Sequence, residues 1–196
     1  MKARSRFAII TTTFAALTLS ALVASAEMKS AGGGALEFSL PGGTAGLKIE
    51  GKSDPDVKDK VTATETGGKI VVTVLFDCGK TACIKTGIDT RDEHLRKYIG
   101  ADTYSKATLS VDKSKLSIPK DGEESSGSGT GEMDFHGKKN PVQFTYKAKR
   151  TGSDVHVHAQ IAELKLADFG IEKPSFAGVS TGMVASIKIK FKLRGE

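Results

Sequence analysis

The sequence has no tryptophan, and only three tyrosines, two cysteines, four histidines and five prolines among 196 residues. With few rings to stack on bases and no basic stripe, it lacks the equipment of a nucleic-acid binder. No G-x-S-x-G nucleophile turn and no glycine-rich phosphate loop occur anywhere in it. Long apolar runs are also missing, apart from one at the extreme N-terminus. An apolar fraction of 38% with 27% charged residues is that of a globular chain, neither collagen-like nor disordered. A length of 196 residues suits one domain, or at most two small ones.

The N-terminal run reads as an export signal. Lys2, Arg4 and Arg6 precede a mostly apolar stretch, Phe7 to Val23, which Thr11, Thr12, Thr13, Thr18 and Ser20 dilute. Ala24-Ser25-Ala26 supplies small residues for cleavage, expected between Ala26 and Glu27. The rival is an uncleaved anchor, but the diluted run falls short of the roughly 20 apolar residues of a spanning helix. No cysteine follows the cleavage position, which argues against a lipoprotein. The expected mature protein is periplasmic or secreted.

Removing residues 1–26 also settles the charge. The formal +6 drops to +3, because three basic residues and no acidic one lie in that segment. Lys188, Lys190, Lys192 and Arg194 alternate on one face near the C-terminus, and a solvated strand face accounts for them. Cys78 and Cys83 are five apart, and in an oxidising compartment a structural disulfide is expected. A redox dithiol would call for the C-x-x-C spacing, which is absent.

Beyond residue 34 the texture is short apolar alternation broken by turns. Ala35–Leu40, Gly46–Glu50 and Val61–Thr66 read as strands, with a charged turn at Ser53–Lys60. Lys69–Phe76 is β-branched on both faces and is expected to be buried on both sides. Thr90 and Glu93 form a capping box for a short helix over Arg91–Tyr98, with Leu95 and Ile99 as its apolar contacts. Ala107, Leu109 and Val111 alternate in the next strand. Lys120–Gly131 is polar and reads as a long loop. In the last third, Val142, Phe144, Tyr146 and Ala148 alternate with polar residues, as do Val155, Val157, Ala159 and Ile161. Ala185, Ile187, Ile189, Phe191 and Leu193 do the same.

Seven to nine antiparallel strands and one small helix predict a single all-β domain over residues 35–195. A sandwich and an up-and-down barrel both satisfy the alternation. Glycine, at 22 residues, all after residue 26, is nearly twice as frequent as the usual share of about 7%. That suits a curved sheet with bulges and tight turns.

Candidate chemistry is sparse. His156-x-His158 places two imidazoles on one strand face, half of a metal site, but no spaced partner accompanies them. Asp92, Glu93 and His94 fall in the first helical turn, where acidic residues complement the helix dipole. His136 to Pro141 reads as a hairpin turn. No convergent acid, base and nucleophile emerge, so neither an enzyme nor a metal or cofactor is expected.

Three segments carry a resemblance. Thr86 to Leu95 (TGIDTRDEHL), Gly131 to Val142 (GEMDFHGKKNPV) and Asp168 to Ile171 (DFGI) occur in that order. They resemble the three motifs of the YceI-like lipid/polyisoprenoid-binding family. Residues 35–60 depart from its usual N-terminal pattern, keeping only Phe38, Leu40 and Ile49-x-Gly51. Leu166 stands where the family often has a basic residue, and the cysteine pair looks like a local feature of this chain.

The resemblance implies a lipocalin-like antiparallel β-barrel, exported, with a long apolar pocket for an isoprenoid chain. The lining expected from alternation is Leu109, Val111, Val142, Phe144, Tyr146, Val155, Val157, Ile161, Ile187, Ile189 and Phe191, with about half of them ordinary core. The implied partner is a long-chain lipid, carried or sequestered, with possible transient contact to a membrane surface or membrane protein. The alternative is a non-enzymatic interaction module with a filled core. It would support a membrane redox partner such as a b-type cytochrome.

Overall fold

Val142, Phe144, Tyr146 and Ala148 are buried, whereas Gln143, Thr145, Lys147 and Lys149 between them are exposed. The same two-residue period runs through nearly every long strand, so the sheet has one apolar and one wet face. The computed structural model describes residues 27–42, 46, 48–79, 81–173, 175–176 and 179–195. The expected signal peptide, residues 1–26, lies outside them.

The strands are β1 (Lys29–Ser30), β2 (Ala35–Leu40), β3 (Ile49–Ser53), β4 (Val61–Thr66), β5 (Lys69–Leu75), β6 (Asp77–Cys78), β7 (Thr81–Ala82) and β8 (Ile84–Lys85). Helix α1 (Asp89–Tyr98) precedes β9 (Lys106–Asp112), β10 (Glu124–Phe135), β11 (Lys138–Thr151) and β12 (Asp154–Lys165). Last come β13 (Ser175–Phe176), β14 (Val179–Ser180) and β15 (Val184–Arg194). One antiparallel sheet follows the order β4-β5-β9-β10-β11-β12-β15-β2-β3-β8, with β1 added on β15. It curls strongly into a half-barrel of lipocalin type, which decides between barrel and sandwich. The strand count exceeds the expected seven to nine because several strands are only two residues long and one arises where a loop was expected.

That strand is β10. Its outward positions are Ser126, Ser128, Thr130 and acidic residues, and its inward ones include Gly127, Gly129 and Gly131, so it has few apolar side chains to betray it. These glycines pair with Tyr146, Phe144 and Val142 of β11. A Cβ on Gly129 would lie 2.9 Å from Phe144 Cζ, and one on Gly127 would lie 3.1 Å from Tyr146 Cε1. The rings therefore lie across the glycines, as aromatic neighbours do over bare backbone in curved sheets. The Tyr146 hydroxyl accepts a bond from the Ser117 N–H at 2.7 Å, so the buried phenol is satisfied.

Other expectations are adjusted in detail. β2 and β4 match their predicted bounds, while the strand expected at Gly46–Glu50 is Ile49–Ser53. In β5 only Ile70, Val72 and Val74 are buried; Val71, Thr73 and Leu75 are half-buried. The sheet is a single layer, and these outward positions of β5 are covered only in part. Helix α1 begins at Asp89 with Ile88 before it, and no side chain caps it. Thr90 is thus inside the helix and not its cap.

The barrel closes at one end only. The Glu65 N–H donates to Met28 O at 2.7 Å, and the Met28 N–H to Glu65 Oε2 at 3.2 Å, joining the β4 edge to the chain entering β1. The Lys113 ammonium reaches both Glu65 oxygens, at 2.7 and 2.8 Å, so this buried carboxylate is paired. At the other end, Cys78 and Cys83 form the expected disulfide, with 5.4 Å between Cα atoms. Its hairpin is tied to α1 by Arg96, whose Nη2 lies 3.3 Å from Asp77 Oδ1.

The glycine stripe yields a test of the fold. Gly129→Val should lower stability by about 1–3 kcal/mol, the usual cost of overpacking. Adding Phe144→Leu should restore part of the loss, measured by urea unfolding. Additive losses would mean that the ring and the glycine do not share one space.

Candidate functional site

Above the packed end the interior is empty. A cavity of about 830 Å³ lies within the curl. Its walls are built from inward positions of several strands: Val72 and Val74 of β5, Ala107 and Leu109 of β9, Ile187 and Ile189 of β15. Leu36, Phe38 and Leu40 of β2 add a further wall. Both Ile161 and Leu164 of β12 line it, although three residues separate them. The β12–β15 register shifts between these two positions, and the irregularity turns both side chains inward.

β11 contributes nothing to the lining. Past Val142 its next inward position is Asn140, whose Nδ2 donates to Asp168 O at 2.9 Å instead. The structure therefore divides the expected residues. Leu109, Ile161, Ile187 and Ile189 stand on the cavity wall. Val111, Val142, Phe144, Tyr146, Val155, Val157 and Phe191 do not; they pack in the closed end beyond it. Alternation marks a side chain as inward, but not how deep along the barrel it sits.

Helix α1 stands at the open end. Leu95 and Ile99 face the cavity, and so does Ile88 just before the helix, which is 48% exposed. An exposed isoleucine beside an apolar cavity marks the mouth. The polar lining residues Lys48, Thr90, Arg91, Glu93 and His94 gather here too. Among the described residues no group of three His, Cys, Asp or Glu side chains could hold a metal ion.

Two buried polar groups hold this end in shape. Asp92, expected only to complement the helix dipole, accepts from both the N–H and the hydroxyl of Thr86, each at 2.6 Å. It pins the loop between β8 and α1. Asp54 fastens β8, whose Ile84 lines the cavity. The Lys85 ammonium, 2.6 Å from Asp54 Oδ2, and the Asp56 N–H, 3.0 Å from Oδ1, hold the Asp54 carboxyl below the usual carboxylate range. The Lys60 ammonium also donates to the Asp54 carbonyl. Neither carboxylate's tertiary partner was legible in the chain order.

The second and third motif segments meet each other. His136 and Gly137 form the β10–β11 turn with φ of 52° and 72°, the left-handed region a two-residue hairpin turn requires. His136 Nδ1 lies 3.1 Å from Phe169 O. A carbonyl only accepts, so Nδ1 carries the proton. The imidazole also packs on Tyr104, with ring centroids 4.5 Å apart. Phe169 is 1% exposed and touches Phe135, centroids 5.5 Å apart, and Phe135 in turn meets Phe76 at 5.6 Å. Phe135 and Phe76 are cavity wall. His136 and Phe169 thus brace the wall from behind. Leu166 lines the cavity, so the wall is apolar where a basic residue often stands in the family the sequence resembles.

His156 and His158 lie exposed on the outer face of β12, away from the cavity. They do not contribute to it.

A half-barrel of lipocalin type with an apolar cavity under a helix defines the class: a β-barrel binding domain. Residues 37–194 match the YceI-like domain, and the chain belongs to that family. Two solved structures share the fold. One is a polyisoprenoid-binding domain from Saccharophagus degradans implicated in plant cell wall breakdown, with TM-score 0.66 and 19% identity over 88% of this chain and 99% of that one. The other is BcnA of Burkholderia cenocepacia, with TM-score 0.51 and 13% identity over 81% and 95% of the two chains. No curated protein sequence matches.

The Asp54–Lys85 pair predicts a pH signature. The folded pKa of Asp54 lies below its unfolded value, so its contribution to stability is present above the ordinary carboxylate range. It is lost as pH falls through the depressed folded value. Thermal unfolding of wild type and Asp54→Asn should differ most near neutrality, and the gap should close in acid. A gap constant with pH would remove the ionised carboxylate as its source.

Proposed function

We propose that this protein is an exported carrier that holds a long-chain lipid, such as a polyisoprenoid, in its barrel cavity, for transport or sequestration. The observation that carries this reading is an apolar cavity of about 830 Å³ whose charged lining residues gather at one mouth. That volume is near the upper end of ordinary ligand pockets, which run from about 300 to 1,000 Å³. Leu109, Ile161, Ile187 and Ile189 are the lining residues we assign to the hydrocarbon.

The physics is that of removing a chain from water. Each methylene buried contributes about 0.8 kcal/mol, so an extended hydrocarbon binds with little polar recognition. Association and ordering costs take back much of that sum. Lys48, Arg91 and His94 at the mouth would meet the ligand's polar end. Hydrocarbon walls suit binding without chemistry. The likeness to a polyisoprenoid-binding domain supports a lipid ligand. The Cys78–Cys83 disulfide supports an oxidising compartment, in keeping with the N-terminal signal read from the sequence.

The filled-core module that supports a membrane redox partner is the second reading. The empty volume between α1 and the closed end weighs against it.

Native mass spectrometry of protein purified from its own host should reveal a co-purifying lipid of defined mass. Ala107→Trp, which projects an indole from β9 into the cavity, should weaken uptake of a fluorescent apolar probe by at least about tenfold, near 1.4 kcal/mol. Circular dichroism should show the fold retained. A protein that is isolated empty and also refuses the probe would sink the carrier reading in favour of the filled-core module.

A further inference from the structure

The outer face of the barrel carries a second surface, separate from the cavity. Across β11, β12 and β15 the register places Lys147 opposite His158, and His158 opposite Lys190. One step along the strands, Lys149, His156 and Lys192 form a parallel row. Lys188 extends the patch, opposite Gln160. Five lysines and two histidines from three strands thus share one face. Rows are about 7 Å apart along a strand and members of a row about 5 Å apart. In the sequence these residues look like ordinary solvated strand faces; only the strand order brings them together.

The acidic groups around the patch are accounted for. Glu124 of β10 bonds Lys149 at 2.9 Å. Asp154 takes Arg194 at 2.6 Å and lies 3.7 Å from Lys192. Glu37 of β2 stands opposite Lys188, and Glu163 lies at the far end of β12. The central row has no carboxylate in register: beyond Lys147 is Ser126, and beyond Lys190 is Ala35. Lys147 and Lys190, two strands apart in this row, thus have no carboxylate beside them in register.

We propose that this face docks the protein on a bilayer surface rich in anionic phospholipid. The chemistry favours a lipid surface over a protein. Protein interfaces are anchored by tryptophan, tyrosine and arginine and are poor in lysine. This patch is mostly lysine, has no exposed aromatic, and its neighbouring arginine is committed to Asp154. A cluster of five lysines spread over a broad face matches the diffuse charge of anionic headgroups. The inference does not depend on what the cavity holds.

Co-sedimentation of the purified protein with phosphatidylcholine vesicles, with and without phosphatidylglycerol, tests the proposal. Wild type should bind the anionic vesicles at low salt, release as salt rises, and ignore the neutral ones. Lys147→Glu with Lys190→Glu should reduce binding by at least roughly tenfold. Lys58→Glu with Lys106→Glu, exposed lysines elsewhere on the barrel, makes the same change in net charge and should leave binding nearly intact. The cavity variant Ala107→Trp should also bind vesicles normally. Should the glutamate pair fail to fold in thermal melts, the Lys147→Gln, Lys190→Gln pair carries the comparison. The proposal is overturned if neutral vesicles bind equally, or if either control loses as much as the patch variant. Indifference to anionic vesicles, with capture of an acidic protein or nucleic acid instead, overturns it too.

Discussion

A size mismatch between two neighbouring strands governs this barrel. β10 presents glycine at three successive inward positions, and β11 answers them with Val142, Phe144 and Tyr146. The rings take the space that β10 side chains would otherwise fill, and the interior closes there. Two residues further along β10 the relation reverses. Met133 and Phe135 point inward, while their β11 partners are Asn140 and Lys138, which supply no apolar counterpart. The barrel is therefore solid at one end and hollow at the other. Both halves follow from the residues paired along a single hairpin.

The hollow half needs support that apolar packing cannot give, because a cavity offers its walls no partner on one side. Polar contacts from outside the cavity supply it. His136 and Asn140 dock the β10–β11 turn on the carbonyls of Phe169 and Asp168. Thr86 and Asp92 hold the approach to α1, and Asp54 with Lys85 holds β8. His136, Asn140, Thr86 and Asp92 of these braces lie in the segments that resemble family motifs. The cavity wall itself is aliphatic, and aliphatic side chains can exchange for one another at small cost. The segments that resemble family motifs thus supply both wall residues, such as Leu95, Met133 and Phe135, and the polar braces behind them.

The sequence revealed the architecture more readily than the site. Alternation in β9, β11, β12 and β15 is strong, because each long strand has one buried and one wet face, and the strands were legible from it. β10 was not, since a strand whose inward residues are glycine has no apolar period to detect. Depth was also illegible. Phe191 and Ile189 alternate identically in β15, yet one packs in the closed end and the other lines the cavity. The distinction arises from where β10 turns from glycine to methionine, on a strand three places away in the sheet. The helix start was misplaced for a similar reason. Thr90 and Glu93 satisfy a local capping rule, but both line the cavity mouth, and the first-turn carboxylate Asp92 is drawn to Thr86.

A single-layer barrel obliges each strand to write two surfaces at once. In β15, Ile187 and Ile189 face the cavity while Lys188 and Lys190 between them face outward. In β12, Ile161 faces inward, and His156, His158 and Gln160 face out. The two surfaces cannot vary independently in register, because a shift of one residue would turn lysines into the cavity and isoleucines into water. They can vary independently in composition. A solvated face needs only polar residues, and serine or threonine would serve, as they do along β10. The choice of lysine and histidine in register over three strands is therefore not dictated by folding. Residual basicity after the N-terminal segment is small, a net +3, but much of it is gathered where the sheet gains nothing from it. Composition could not display that surface; only strand order does.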